Sequence, residues 1–314
     1  MSLQSLLDLG LALLTLAVAA WTIAARETFA AVVRYVVAGL LLSLVWVRLY
    51  APDVAMTEST IGAGVTGVLL IGAANRLGRG APSPRETVGL GFKLAAGALS
   101  LLVTAALAAA VLTLPDPAPS LAPDAMANLA PTEMGNPVTA ALMAFRGFDT
   151  MLETVVLTLA AVGVWSLAPN AFWGGAPEPV RAARPEGALV FLAQILAPIG
   201  LVVGIHLLWV SADEPGGAFQ GGAVMAAMWL LAVMARLAEA PESRARWLRY
   251  ALAAGPAVFL LAGLSGAPLA GVLFGYPEGF AKPVILTIEV FKLFAVAVTL
   301  ALLVWGPPAR RAAP

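Results

Sequence analysis

The sequence predicts an all-α, polytopic membrane protein of about nine transmembrane helices, and three observations predict it. Charged residues make up only 11% of the chain, against the roughly 25% of a soluble domain. Hydrophobic residues make up 61%, more than a water-facing surface accommodates. Apolar runs recur at close to the ~20 residues that a spanning helix requires.

The first run, 3–24, lacks a basic leader and a small-residue cleavage site, so it reads as a retained span and not a signal peptide. Runs 29–50 and 54–77 follow; Pro52 and Asp53 ahead of the latter suit a helix's first turn. The fourth run is 88–113. A proline-rich connection from Pro115 to Pro137 leads to 138–167, whose start is irregular, and a second from Pro169 to Pro185 leads to 187–210. The last three runs are 219–238, 248–274 and 281–305. The proline-rich connections divide the chain into modules at 1–113, 114–180 and 181–314.

Orientation follows from lysine and arginine. Arg26 and Arg34; Arg76, Arg79, Arg85 and Lys93; Arg181 and Arg184; Arg236, Arg244, Arg246 and Arg249; and Arg310 and Arg311 fall at alternate connections, which should face the cytoplasm. The connection at 114–137 carries Asp116, Asp124 and Glu133 without a basic residue, and 211–218 carries Asp213 and Glu214. The N-terminus is then outside and the C-terminus inside. Cysteine is absent, which excludes disulfides and thiolate metal sites. Zero net charge argues against a nucleic-acid partner. There is no Walker loop, His/Cys cluster or nucleophile elbow, so no catalytic, cofactor or metal site is expected. No internal repeat is visible, against a transporter built from two matching halves.

An ionisable side chain at mid-membrane costs about 2.5–3.5 kcal/mol on insertion scales and calls for a partner or a task. Four clusters qualify. In the first, Asp53 can cap a helix start, whereas Glu58 lies a turn deeper, where capping no longer explains it. Gly62, Gly64 and Gly67 beside it permit tight packing or an irregular helical ladder. In the second, Arg146, Asp149 and Glu153 stand at i, i+3 and i+7, on one helical face, with Gly147 able to break the helix. Their single net negative charge can hold a cation or exchange a proton; a structural ion pair is the alternative. The third is the turn Asp213, Glu214, Pro215, Gly216, Gly217, Ala218, Phe219, Gln220, Gly221, Gly222, whose glycines allow a protein-lined re-entrant turn or close packing against a neighbour. The fourth is Glu289 with Lys292, at the spacing of a buried structural pair. His206, the single histidine, reads as interfacial.

At these motifs the chain resembles a known family. Residues 51–64, Ala-Pro-Asp-Val-Ala-Met-Thr-Glu-Ser-Thr-Ile-Gly-Ala-Gly, resemble MbhD, the D-type component of membrane-bound, hydrogen-evolving hydrogenases. Asn-Pro-Val-Thr at 136–139 with Phe-Arg-Gly-Phe-Asp-Thr at 145–150 resembles MbhE, the E-type component of those complexes. Both segments also resemble the C-terminal tail of MrpA, the large component of Mrp-type multisubunit sodium/proton antiporters. Residues 187–305 are similar to MnhB or MrpB, a smaller component of the same antiporters. Three positions depart from the family pattern: Ala218 replaces a glycine, Ala144 an acid and Leu152 a glycine.

The resemblance implies a fused accessory subunit, multi-pass in the cell membrane, in a hetero-oligomeric complex with other Mrp-type subunits. Na+ and H+ would be its transported ions, and it would carry no cofactor and act as no enzyme. Glu58, Asp149 and Glu153 would line a cation route, with Arg146 setting their charge state and Asp53 nearby. The alternatives are a membrane-arm component of a complex-I-like redox assembly, such as a membrane-bound hydrogenase, and a purely structural adaptor.

Overall fold

The computed structural model describes residues 2–77, 89–178 and 187–311. Arg79, Arg85, Arg181 and Arg184, used above for orientation, lie outside them. Among the described residues the regular structure is helical, with one isolated bridge between Pro177 and Pro308.

Helices α1 (Leu3–Ile23) and α2 (Thr28–Arg48) form an antiparallel hairpin, pinned at its open end by Arg48 and Asp8 at 2.7 Å. The third span is interrupted. Short α3 (Pro52–Thr57) passes into a π-helical stretch, Glu58–Val65, and then into α4 (Thr66–Leu77). The Thr66 hydroxyl donates to the carbonyl of Ile61, five residues back, at 2.9 Å, the register of a widened turn. Helix α5 (Leu90–Leu112) has no buried residue. The short α6 (Ala122–Ala127) lies in the connection that follows.

The fifth span is broken as its sequence suggested. Helix α7 (Pro137–Ala140) is capped by Asn136, whose side chain accepts from the Val138 amide at 2.9 Å. It widens into a π turn over Ala141–Phe145, leaves helical geometry at Arg146, and restarts at Gly147 as α8 (Gly147–Ser166). Then come α9 (Ala188–Val210), α10 (Ala218–Met234), α11 (Arg246–Ala270) and α12 (Ala281–Trp305).

Eight of the nine expected spans are helices long and apolar enough to cross a membrane. The ninth, α10, has 17 residues against an expected run of 219–238. It ends early because Arg236 takes a left-handed conformation, φ 60°, and Leu237 turns back to the Ala232 carbonyl.

Helix α12 is the axis of the bundle. Its N-terminal half meets Met143, Met151 and Phe259, and its C-terminal half meets Ala223, Leu248 and Leu252. Glycine permits close approach of backbones between α9 and α10: a methyl group at Gly221 would lie 2.5 Å from the Gly204 carbonyl oxygen.

Candidate functional site

The loop between α9 and α10, residues 211–217, is gripped by side chains and backbone from all three sequence modules. Gly217 completes the chain reversal: its φ of 146° with ψ 168° is a region open essentially to glycine alone. The Gly217 amide returns to the Leu207 carbonyl at 3.0 Å.

From the first module comes Asp53, 8% exposed. Its Oδ1 accepts from the Gly216 amide at 3.2 Å and from Asn136 Nδ2 at 3.5 Å. Asp53 makes no cap on its own helix α3. The carboxylate instead stands at the N-terminus of α10, where the free amides and the positive dipole end favour an anion. One turn on, Gln220 Nε2 donates to Thr57 Oγ1 at 3.1 Å.

From the second module come Asn136 and Thr139. Asn136 Nδ2 also donates to the Glu214 carbonyl at 3.0 Å, and Thr139 Oγ1 donates to the Ser211 carbonyl at 2.6 Å. The amides of Gly135 and Asn136 both donate to the Ala212 carbonyl, at 2.9 and 3.0 Å. The carbonyls of Ser211, Ala212 and Glu214 are thereby satisfied within the chain.

From the third module come Lys282, Glu289 and Lys292. Lys282 Nζ meets Asp213 at 2.7 Å, while its amide donates to Glu133 at 3.1 Å. Ser211 Oγ lies 3.0 Å from Glu289 Oε2 and 2.8 Å from the Leu208 carbonyl. Lys292 Nζ is 3.4 Å from Glu289 Oε1, with side chains 6% and 5% exposed, the buried pair that the i, i+3 spacing suggested. Lys292 also lies 4.0 Å from Met143 Sδ and 5.8 Å from the Phe219 ring centre. In the connection before α12, Tyr276 donates to the Met143 carbonyl at 2.7 Å; burial raises its phenol well above the ordinary value, so it stays a donor.

The remaining candidates lie elsewhere. Arg146 Nε pairs with Asp149 at 2.8 Å, but these side chains are 70% and 50% exposed, and Glu153 is exposed beside them. The buried face of α8 is Gly147, Thr150, Met151, Thr154 and Ala161, so the charged face points away from this chain's own bundle. Gly255 lies against both Thr154 and the Lys292 backbone, which puts neighbouring Glu153 near the level of Lys292, close to the midpoint of α12, whereas Gly147, beside Arg146, lies against Phe274 in the connection before α12. Glu58 is half-buried in the π-helical stretch against Gly39 of α2 and Gly62, with no hydrogen-bond or ion-pair partner among the described residues. No bond joins Glu58 to Asp149 or Glu153 among them.

The sequence pattern thus named Asp53, the glycine turn and the Glu289–Lys292 pair as separate clusters, and the fold unites them. Of the connecting residues, Asn136 and Thr139 stood in the sequence only as part of the Asn-Pro-Val-Thr motif and Ser211 carried no signal of its own, and nothing marked the distant partners of any of them.

This architecture, apolar helices joined about one connecting turn that all three modules grip, is that of an all-α multi-pass membrane protein. Two family models match the chain: MbhD, the D component of MBH, over residues 13–79, and "Domain related to MnhB subunit of Na+/H+ antiporter" over residues 188–306. An uncharacterized protein of Methanocaldococcus jannaschii is 30% identical over 190 residues, 54% of this chain and 72% of that protein. The chain belongs to the family of fused MbhD- and MnhB-type subunits related to Mrp antiporters. A protein of Rhizobium meliloti, named as a probable A/B component of a K(+)/H(+) antiporter, is 28% identical over 273 residues, 76% of this chain and 26% of its own length.

Among solved structures, a chain of the Mrp complex from a Dietzia species has the same fold, with TM-score 0.74 at 22% identity over 97% of this chain and 35% of that one. A chain of the membrane-bound sulfane sulfur reductase, an archaeal respiratory membrane complex, aligns with TM-score 0.56 at 22% identity, over 68% of this chain and 97% of its own length. This chain therefore spans about a quarter of the Rhizobium antiporter protein and about a third of the Mrp-complex chain.

Proposed function

We propose that this chain is one subunit of a multisubunit monovalent cation/proton antiporter in the cell membrane, working among other Mrp-type subunits, with its N-terminus outside and its C-terminus inside. The observation that carries this reading is the exposed charged face of α8. Glu153, next to Thr154, lies level with the middle of α12, Asp149 and Arg146 follow toward the connection before α12, and all three are exposed. At about 2.5–3.5 kcal/mol per group, lipid is a poor neighbour for them; a partner protein or a water-filled route between subunits satisfies them.

In this proposal Asp149 and Glu153 line a cation route at the subunit boundary, with Arg146 paired to Asp149 beside it. Glu58 lies on a second stretch of that route, where the π-helical turn loosens the ladder around it. Na+ and H+ are the ions exchanged, and no cofactor takes part. The working units are 1–113, 114–180 and 181–314, with the Asp53 clamp joining the first and second to the third.

The test is to purify the tagged protein from native membranes in mild detergent, identify its companions by mass spectrometry, and reconstitute the complex in vesicles. Antiporter subunits should co-purify, and Asp149→Asn and Glu153→Gln should each cut cation-dependent proton movement at least tenfold with the complex intact. Full activity in both variants would sink the ion-route assignment. A second reading, a membrane-arm component of a respiratory redox complex, draws on the likeness to nearly the full length of the sulfane sulfur reductase chain; co-purifying redox subunits would favour it.

A further inference from the structure

We propose that Glu289 is a proton-binding carboxylate, reached from the 211–217 turn through the Ser211 hydroxyl, with Lys292 as its fixed counter-charge. The Ser211 oxygen stands within hydrogen-bond distance of two acceptors, Leu208 O at 2.8 Å and Glu289 Oε2 at 3.0 Å, yet a hydroxyl has a single proton to give.

Each protonation state of Glu289 has its own complete arrangement. When the carboxylate is ionised, Ser211 donates to Oε2. When it is protonated, the Oε2–H donates to Ser211 Oγ, and Ser211 turns its own proton to the Leu208 carbonyl. The two differ by rotation of one O–H bond, with the heavy atoms in place.

Lys292 does not lock the carboxylate in the charged form. Its 3.4 Å contact is longer than the roughly 2.7–2.9 Å of a charge-assisted bond. The elements packed around the pair present Met143, Thr154, Leu208, Phe219 and Gly255, none of them ionisable. Among the described residues no other charged side chain lies within ion-pair distance of either group. The next charges, Asp213 with Lys282, Glu133, and Asp53, sit around the same turn.

In the loading step a hydronium ion on the solvent side of the turn gives a proton to Ser211 Oγ as the hydroxyl passes its own proton to Oε2. Two O–H bonds break, at the hydronium and at Ser211, and two form, at Ser211 and at Oε2; a water molecule is left behind, Lys292 keeps its three protons, and the buried pair goes from neutral to one positive charge. Release is the reverse.

The proposal rests on the antiporter reading only for its transport measurement. Infrared difference spectra of the purified complex between high and low pH should show a protonated-carboxyl band that disappears in Glu289→Gln and shifts in frequency in Ser211→Ala. In vesicles, Glu289→Gln should slow exchange at least tenfold and flatten its pH profile, and Ser211→Ala should displace that profile. Should Glu289→Gln alone fail to assemble, Glu289→Leu with Lys292→Met removes both charges together. That double variant is expected to assemble, lack the band and lose the pH response; assembly with an unchanged pH profile would make the pair structural and overturn the proposal. Absence of the band from the unaltered complex, or its persistence in Glu289→Gln, would also overturn it. A band at Glu289 in a complex that exchanges no cation for protons would sink the antiporter reading and leave the proton site standing.

Discussion

Two groups of intramembrane charges in this chain are handled in opposite ways. Around the 211–217 turn, Asp53, Glu289 and Lys292 are enclosed, and their bonds reach amides, hydroxyls and each other within the chain. On α8, Arg146, Asp149 and Glu153 are turned outward. Glu289 with Lys292 and Asp149 with Glu153 both have helical spacing, so pattern alone does not separate them. The first group makes the fold, because three distant stretches of sequence meet at it. The second is held by two helical turns alone, and its energetic value depends on what stands opposite.

The comparison can be broken by substitutions on either side, and the largest effect is expected at the buried pair. Glu289→Ala, which leaves a lone buried cation, should destabilise the purified protein by about 3–5 kcal/mol, read as a large drop in thermal unfolding temperature. The double change to Leu and Met should recover most of that loss.

Next is the clamp. Asp53→Ala leaves the Gly216 amide without its acceptor and should cost about 1–3 kcal/mol, whereas Asp53→Asn, which keeps an acceptor oxygen, should cost less. Proteolysis of the 211–217 turn in detergent would report the same order. The smallest effect on the chain itself should come from Asp149→Asn, within about 1 kcal/mol as for exposed pairs, with its companions still co-purifying. Equal destabilisation by Asp149→Asn and Asp53→Ala would erase the distinction between the two regions.

Much of this was legible beforehand because it is local. The spans follow from runs of apolar residues, and the break before α8 was marked by Gly147. The widened ladder beside Glu58 was marked by Gly62, Gly64 and Gly67, and the Glu289–Lys292 pair was marked by its spacing. Asp53 was legible as a capping residue but not as the cap of α10, since a short carboxylate beside a proline looks the same whichever helix end it serves. The bonds of Thr139 and Ser211 were not legible, since a hydroxyl is unremarkable until its partner is known.

The sequence by itself determined that the chain is a membrane-embedded helical protein, where its spans run, and which charges share a helical face. Those properties depend on neighbours a few residues away and on the mismatch between charge and hydrocarbon. Only the tertiary structure decided which faces turn inward. In water an apolar face announces its own burial, but lipid is as apolar as leucine, so hydropathy does not tell a helix's inner face from its outer one. Close approach of glycine backbones and hydrogen bonds across distant modules made that choice, enclosing Asp53 and Glu289 and leaving Asp149 and Glu153 at the boundary.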